Sequence, residues 1–549
     1  MSFAQQRLWF IEQLEGPSAL YNTPFAVRLT GGIDAAALTL ALRDVLVRHE
    51  VLRTTFPATD GRPHQSIAEP DDPAVTSAAV TAVPVADEAE LAARLDAAAR
   101  HVFDLATELP VRCTLFSRSA DDNVLLVLMH HIASDGWSVP PLFRDLDQAY
   151  RARLTGTAPE WEPLPVQYAD YTLWQHETLG TEDDPESVLA TQLAHWQGAL
   201  AEAPEELALP YDRPRPTAPT HRGGAAELAL DADLYADLAE LASEQRASLF
   251  MVLQAAVATL YTRLGAGTDL PLGTAVAGRT DEALDELVGF FVNTLVLRTD
   301  TSGDPTFRDL LERVRRLDLD AFDQQDVPFD RLVEQLNPAR IPARHPLFQT
   351  MVTLDSDEDL PSDFAGLDCR AYPLDHQLAK FDLSFAFVEL HDDYGTGNGL
   401  TGAVEYAADL FDHATAATLG ERLVRVLRAA TADPDAPIGG IEILGHEERA
   451  HLLTGLHGPT TALPTGSVPE LFEAQAAATP DAVALVSGDT ELSYAQLNTR
   501  ANALALRLVE AGVRTETPVA LLLERSPALV IAVLAVLKAG GSYVPLDDA

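Results

Sequence analysis

The amino-acid sequence predicts an α/β fold made of two lobes, followed by a shorter third segment. Its 549 residues exceed one ordinary hydrophobic core, since domains typically hold roughly 100–200 residues. Helical and extended patterns alternate along most of the chain, and a proline-rich, charged stretch at residues 183–220 interrupts them. We therefore expect a first lobe at 1–165, a second lobe at 166–444, a linker at 445–467 and a further segment at 468–549.

The first lobe is predicted to open with a helix and a strand. Apolar residues from Ala4 to Leu14 lie near helical spacing, and Phe25 to Leu29 alternate as in a strand. Asp34 predicts the start of a helix through Val47, because a short carboxylate caps free N–H groups. The remaining predicted elements are a turn at Asp60-Gly61, a helix at 91–102, and strands at 111–116 and 123–129. The last strand is almost wholly apolar, so we expect it at the centre of a sheet.

The second lobe shows the same alternation over a longer stretch. Its predicted helices are at 188–201, 234–246, 249–264, 307–324 and 413–430. Its predicted strands are at 270–275, 291–297, 348–354, 383–390 and 401–406. After the linker, the pattern begins afresh with a helix, a hairpin around Gly488-Asp489 and a helix-strand-helix pattern. These last residues are about half of a typical domain, so we expect them to be a fragment of one.

Charge and cysteine content restrict the partners of the chain. Acidic residues outnumber basic residues by 83 to 38, which gives a net charge of −45. No nucleic-acid partner is expected, because binding phosphates requires a basic surface. Cys113 and Cys369 are too few for a disulfide framework or a zinc site. With no signal-peptide pattern and no apolar run near the roughly 20 residues that span a bilayer, we expect a cytoplasmic monomer without a membrane partner.

The run HHIASDGWS at residues 130–138 carries the strongest candidate chemistry. It follows the apolar strand and precedes a helix that Pro140 would start well. Since side chains alternate along a strand, His130 and His131 are expected to point to opposite faces. A histidine at the end of a buried strand suits a general base, because its pKa of about 6.5 lies near neutral pH. We also expect the Gly136 N–H to lie near the reacting centre.

Asp135 is predicted to fix this loop rather than to act as the base. A carboxylate in such a position commonly pairs with an arginine, and Arg53 and Arg298 are the candidates for this structural support. Two adjacent histidines alone are more often structural than catalytic, but an Asp-Gly pair at this spacing reverses that expectation. No metal site is predicted, because no third His or Cys lies at ligand spacing.

The run at 130–138 resembles the HHxxxDG signature of condensation domains in nonribosomal peptide synthetases. Six other segments agree with that family in chain order: SFAQQRLWF at 2–10, RHEVLRTTF at 48–56, YADYTLWQ at 168–175, VGFFVNTL at 288–295, QDVPF at 325–329 and RHPLFQ at 344–349. Single aromatic residues in these segments would be core residues in any protein. Their shared order makes the resemblance specific.

The resemblance implies a fold and a subtype. The fold is two chloramphenicol-acetyltransferase-like lobes that form a V with a tunnel between them. Intact histidines at 130 and 131 differ from the paired aspartates of heterocyclisation domains. The opening segment and the SDGWS version of the signature resemble the type that joins an L-configured donor to an L-amino-acid acceptor.

The resemblance also implies the reaction and its partners. An upstream donor carrier and a downstream acceptor carrier, both peptidyl carrier proteins, deliver substrates as thioesters on 4′-phosphopantetheine arms. The acceptor amine attacks the donor carbonyl and forms a peptide bond. The chain itself is expected to bind no cofactor, since it has no carrier-protein motif of its own.

Residue roles follow from the same resemblance. His131 takes a proton from the amine or holds the amine in line, and the sequence leaves these two roles open. Trp137, Asn293 and Ser384 are expected to line the tunnel. Two alternatives come from other classes: a docking module that binds carriers without chemistry, and an acyltransferase that uses a small acyl-coenzyme A.

The last segment resembles the start of an adenylation domain. LSYAQLN at 492–498 and LKAGGSYVPL at 537–546 are similar to the first two motifs of that domain. The phosphate-binding loop that such a domain uses for ATP is not in the sequence. We therefore expect no adenylation by this chain, and we expect the rest of the adenylation domain as a partner.

Overall fold

The computed structural model describes residues 1–339, 341, 343–357, 362–374, 378–392, 396–458 and 461–547. The chain divides into two compact units, Met1–His446 and Glu447–Ala549. The first unit holds two six-stranded sheets, neither of which is closed into a barrel. The helices and the two mixed sheets confirm the mixed α/β fold.

The first sheet is built around the apolar strand that ends in the histidine pair. Its strands in spatial order are Asp363–Phe364, Leu367–Ala371, Asn22–Thr30, Asp122–His130, Val111–Ser119 and Thr81–Pro84. Asp122–His130 lies in the interior of the sheet and is buried at every position after its first, as its continuous apolar sequence predicts. Only the pairing of Thr81–Pro84 with Val111–Ser119 is parallel among these neighbours.

Two chain segments cross from the second lobe to the first. Residues 363–371 extend the first sheet, where Leu29 lies opposite Cys369. Residues 277–292, here called the crossing segment, place Leu287 and Phe291 in the core of the first lobe. A lobe boundary at residue 165 stays a prediction, and these crossings show that chain position alone does not assign a residue to a lobe.

The second sheet mixes parallel and antiparallel pairs. Its strands in spatial order are Asn293–Asp300, Asp269–Val276, Thr350–Ser356, Leu383–His391, Gly397–Ala407 and Gly223–Leu228. The pairs that Thr350–Ser356 makes on both sides are parallel. One face packs on helices through Phe385, Phe387 and Val404, each fully buried. The alternating residues on the opposite face include Ser384 and Glu405, which are register partners.

Several helices of the first unit begin at a residue whose side chain caps the helix. The helices of this unit are Phe3–Glu15, Ala35–Arg48, Pro73–Thr76, Glu88–Ala99, Val139–Leu154, Tyr168–Leu179, Val188–Ala199, Ala232–Gln245, Leu249–Leu264, Phe307–Phe322, Phe329–Leu336 and His413–Ala432. The Asp34 carboxylate accepts from the N–H groups of Ala36 and Ala37, as expected for the cap of the second helix. The predicted Asp60-Gly61 turn is also present, with both residues at positive φ, between the short strands Ala58–Thr59 and Arg62–Pro63.

The second unit is small. Its helices are His446–Ala450, at the junction, Val468–Ala478, Tyr494–Glu510 and Pro527–Lys538, and a π-helical turn spans His451–Gly455. Its strands are Val483–Ser487, Thr490–Ser493, Pro518–Leu521 and Ser542–Pro545, which form two separate two-stranded sheets. Among the described residues, no single helix is long and apolar enough to cross a membrane. The helices Ala232–Gln245 and Leu249–Leu264 together have the length and composition of a membrane span, but they are bent by 103° to each other.

Candidate active site

The histidine motif lies where the central strand of the first sheet ends. The strand ends at His130, and a 3-10 turn over His131–Ala133 follows at once. A second 3-10 turn, Gly136–Ser138, leads into the helix Val139–Leu154, which has proline in its first turn. The strand alternation used to predict opposite directions for the two histidines therefore ends at His130. Their different surroundings come instead from this turn.

His130 is packed inside the first lobe. It is 5% exposed, and its Nδ1 accepts a hydrogen bond from the Ile132 N–H at 3.1 Å. Its ring lies edge-on to Phe103, with 6.0 Å between the ring centroids. Burial lowers the pKa of His130 to about 3, and the nearby charge of Lys380 contributes. His130 is thus a neutral packing residue that shapes the turn.

His131 is held in one orientation and is only half-buried. Its main-chain N–H donates to the Tyr21 carbonyl at 2.7 Å, and its Nδ1 lies 2.7 Å from the Ser134 carbonyl oxygen. A carbonyl only accepts, so Nδ1 carries the proton and Nε2 keeps a free lone pair. The ring packs on Phe290 of the crossing segment at 4.6 Å. Burial first, and then the charge of Lys380, lower the pKa of His131 to about 3.

Asp135 pairs with Arg279, not with either arginine expected from the sequence. An Asp135 carboxylate oxygen lies 3.2 Å from Arg279 Nη2, and both side chains are almost fully buried. Arg53 instead contacts Glu50 and the Ala68 carbonyl. Arg298 binds the Asp269 carboxylate through Nε at 2.8 Å and Nη2 at 2.7 Å. The prediction was wrong because both candidates are already paired within their own surroundings.

Asp135 also fastens the crossing segment to the motif loop. Its carboxylate accepts from the N–H groups of Phe291 at 2.9 Å and Val292 at 3.2 Å. The Gly289 N–H donates to the neighbouring Ser138 hydroxyl at 3.0 Å. Burial raises the pKa of Asp135, and these donors together with Arg279 oppose that shift. The hydrogen bonds of Asp135 thus connect the motif loop to the crossing segment, and its role in fixing the loop stays a prediction.

A cavity of about 290 Å³ lies between the lobes. The first lobe contributes Arg7 and Tyr21 to its wall, and the second contributes Phe329, His345 and Lys380 among others. Tyr21 connects this cavity to the motif, because its carbonyl is the acceptor for the His131 N–H. The cavity therefore reaches the residue that holds His131 in place.

The other predicted site residues are placed as follows. Gly136 and Trp137 are exposed, and a Cβ added to Gly136 would meet no atom within 4 Å among the described residues. Asn293 lines a smaller cavity of about 70 Å³. Its amide is occupied by the Gln325 and Val327 carbonyls at 2.8 and 2.7 Å. Ser384 is half-buried and donates to Glu405. Their role as tunnel-lining residues stays a prediction.

Sequence interpretation missed Arg279 and Lys380. Arg279 lies 144 positions from Asp135 along the chain, and a pairing at that distance leaves no local pattern in a single sequence. Lys380 did carry a signal. It and Lys538 are the only lysines among 38 basic residues, so a lysine here is a departure from the usage of the chain.

The fold and the site first define a class: an α/β protein with two open sheets and a fixed, neutral histidine at the end of a central strand. The model for the family described as condensation domain matches residues 1–453, and the model for the AMP-binding enzyme family matches residues 472–549. A dimodular nonribosomal peptide synthase from Bacillus subtilis (strain 168) is 50% identical over 547 residues. That match covers 100% of this chain and 23% of the relative, so the chain spans about a quarter of that protein.

Solved structures agree in fold. The X-domain from teicoplanin biosynthesis is 39% identical with a TM-score of 0.74, and the match covers 81% of this chain and 97% of that one. A four-domain nonribosomal peptide synthetase bound to AMP and glycine has a TM-score of 0.81 and covers 100% of this chain and 41% of its own. Its identity of 23% shows the fold alone. The chain belongs to the condensation-domain family, whose members in nonribosomal peptide synthetases form peptide bonds, and it continues into the start of an AMP-binding domain.

Proposed function

We propose that this chain joins two carrier-bound substrates, an acyl or peptidyl donor and an aminoacyl acceptor, both held as thioesters. The 4′-phosphopantetheine arms of two peptidyl carrier proteins bring them to the cavity between the lobes. The amine nitrogen of the acceptor attacks the donor carbonyl carbon, and the carbon–sulfur bond breaks. The thiolate leaves with the proton that the amine gives up.

The observation that carries this proposal is the fixed tautomer of His131. Its Nδ1 is occupied by the Ser134 carbonyl, so Nε2 is the atom that can accept a hydrogen bond from an amine. Attack requires the neutral amine, and a free α-amino group has a pKa of about 7.7–8.0. The neutral Nε2 of His131 can accept a hydrogen bond from this neutral amine.

The low pKa of His131 favours positioning over full proton transfer. A base of pKa about 3 is a weak proton acceptor, whereas its lone pair still orients an N–H donor. Asp135 acts at a distance from the reaction by holding the turn, together with Arg279. The Gly136 N–H, at an exposed position with free space beside it, remains the expected donor to the oxyanion.

Reconstitution tests this function. Two carrier proteins are loaded from alanyl-, leucyl-, threonyl- and phenylalanyl-coenzyme A, in L and D forms, and mixed with the chain. The intact mass of the acceptor carrier should rise by one residue when both carriers are loaded, with L donors faster than D donors. Acetyl-coenzyme A in place of the donor carrier should give no product. Carrier binding without any product across the panel would show a docking module instead.

A further inference from the structure

Lys380 places an ammonium in the cavity without an ion-pair partner among the described residues. It lies in the wall of the cavity between the lobes and its side chain is exposed there. Within the described residues it makes no hydrogen bond and no ion pair shorter than 4 Å, and its ammonium lies 5.4 Å from the centre of the Tyr21 ring. Because the side chain is exposed to the cavity and its ammonium has no counter-ion at contact distance, that ammonium is open to a group that enters the cavity.

The choice of lysine over arginine is itself informative. The chain uses arginine for nearly all its basic residues, and only Lys380 and Lys538 are lysines. Lysine carries a compact charge on a flexible stem, and its pKa responds to burial, whereas arginine stays charged. We therefore expect the compact charge and the variable pKa of lysine to be used at position 380.

Tyr21 links this ammonium to the histidine motif. Tyr21 packs its ring against Lys380 and accepts the His131 N–H with its carbonyl, so one residue contacts both groups. The charge of Lys380 also reaches the rings of His130 and His131, since it lowers the pKa of each. An amine held at His131 Nε2, and the carbonyl it attacks, would lie within reach of the same ammonium.

We propose that the Lys380 ammonium binds the carbonyl oxygen of the donor thioester and stabilises the negative charge that forms there. This proposal rests on the proposed function. As the carbon–nitrogen bond forms, the carbonyl π pair moves to oxygen, and Lys380 donates a hydrogen bond to it. When the oxygen pair returns, the carbon–sulfur bond breaks and the amine proton passes to the thiolate. Lys380 keeps its own proton throughout.

The charge of Lys380 sets a pH limit on this role. Burial lowers its pKa to about 8, and Glu405 opposes that shift. The titratable and charged groups that interact with it are Arg7 on the first helix, Tyr21 before the first strand, His130 and His131 at the motif, and Glu405 on the second sheet. Asp330, His345 and Asp382 line the same cavity. Both histidines stay neutral above pH 5, so above neutral pH Lys380 is the group whose charge changes.

The test compares single-turnover rates of wild type and Lys380→Met with the best aminoacyl pair from the reconstitution panel. Removing one oxyanion donor should slow the reaction about 10²–10³-fold at pH 7. The ratio of the wild-type rate to the Lys380→Met rate does not depend on the titration of the substrate amine, because both proteins use the same amine. It should fall about tenfold between pH 7 and pH 9, as a cation of pKa about 8 loses its proton. A ratio near one, or a ratio that rises with pH as for a lysine base, would overturn the proposal.

Chemical rescue separates this role from a structural one. Lys380→Cys treated with 2-bromoethylamine restores an ammonium on a side chain of lysine length, while Cys113 and Cys369 are 4% and 3% exposed and react slowly. Treated wild type is the control. Recovery of most of the rate supports the proposal. The proposal is contradicted if treated Lys380→Cys has the melting temperature of wild type but reacts no faster than untreated Lys380→Cys. Failure of wild type to form product would instead contradict the proposed function.

Discussion

Replacing Arg279 by methionine should loosen the crossing segment and destabilise the first lobe. The change leaves Asp135, whose side chain is 0% exposed, without its counter-ion. Breaking a buried ion pair by removing one partner typically costs about 3–5 kcal/mol. Here the carboxylate keeps three donors, from Phe291, Val292 and Ser138 at 2.8–3.2 Å, so we expect the low end, about 3 kcal/mol.

The same segment provides a matched control. Arg144 pairs with Glu286 on its surface, where the two side chains are 53% and 49% exposed. Arg144→Met should therefore cost less than about 1 kcal/mol. The difference between the two variants isolates the effect of burial, because both remove an arginine that contacts residues 277–292.

Hydrogen exchange and urea unfolding measure the effect at two levels. Exchange of the peptide covering residues 286–296 should become faster in Arg279→Met, because the amides of Phe291 and Val292 donate to Asp135. Urea unfolding should show the larger loss of free energy in the same variant. Equal exchange and equal unfolding midpoints for Arg279→Met and Arg144→Met would refute the view that Asp135 holds the crossing segment to the motif loop.

Two further predictions concern packing and buried charge. An added Cβ at Gly289 would lie 2.3 Å from the Tyr168 ring, so Gly289→Ala should lower the free energy of urea unfolding by about 2 kcal/mol. The control Gly32→Ala has open space around the added Cβ and should change that free energy by less than about 1 kcal/mol. Burial raises the pKa of Asp318 to about 7, so its protonated form stabilises the fold below about pH 4 and this contribution is lost as pH rises through 7. Asp318→Asn should remove up to about 4 kcal/mol of that pH dependence in unfolding free energy, and an unchanged pH profile would contradict the assignment.

Local signals in the sequence located the elements well. The helix Leu249–Leu264 has the predicted bounds because Ser248 caps its start and Gly265, in a left-handed conformation, ends it. The apolar run that leads into His130 predicted a central strand, and the structure has it there. Each of these outcomes depends on residues within a few positions of one another.

Contacts between distant segments could not be predicted in the same way. The Asp135–Arg279 pair and the return of residues 363–371 to the first sheet depend on three-dimensional packing of segments far apart in the chain. The different surroundings of His130 and His131 depend on where the strand ends. The hydrogen bonds of the 3-10 turn at His131 set this end at His130. The scarcity of lysine, by contrast, is a property of composition alone, and it distinguishes Lys380 from the arginines that the chain uses elsewhere.

The central claim is that the neutral imidazole of His131 holds the attacking amine. The most direct measurement is the single-turnover rate of acceptor-carrier elongation for wild type and His131→Ala, with bound carrier measured in parallel. We expect the variant to bind both carriers as wild type does and to form product at least about 100-fold more slowly. Equal rates of product formation in the two proteins would remove His131 from the mechanism and contradict the account.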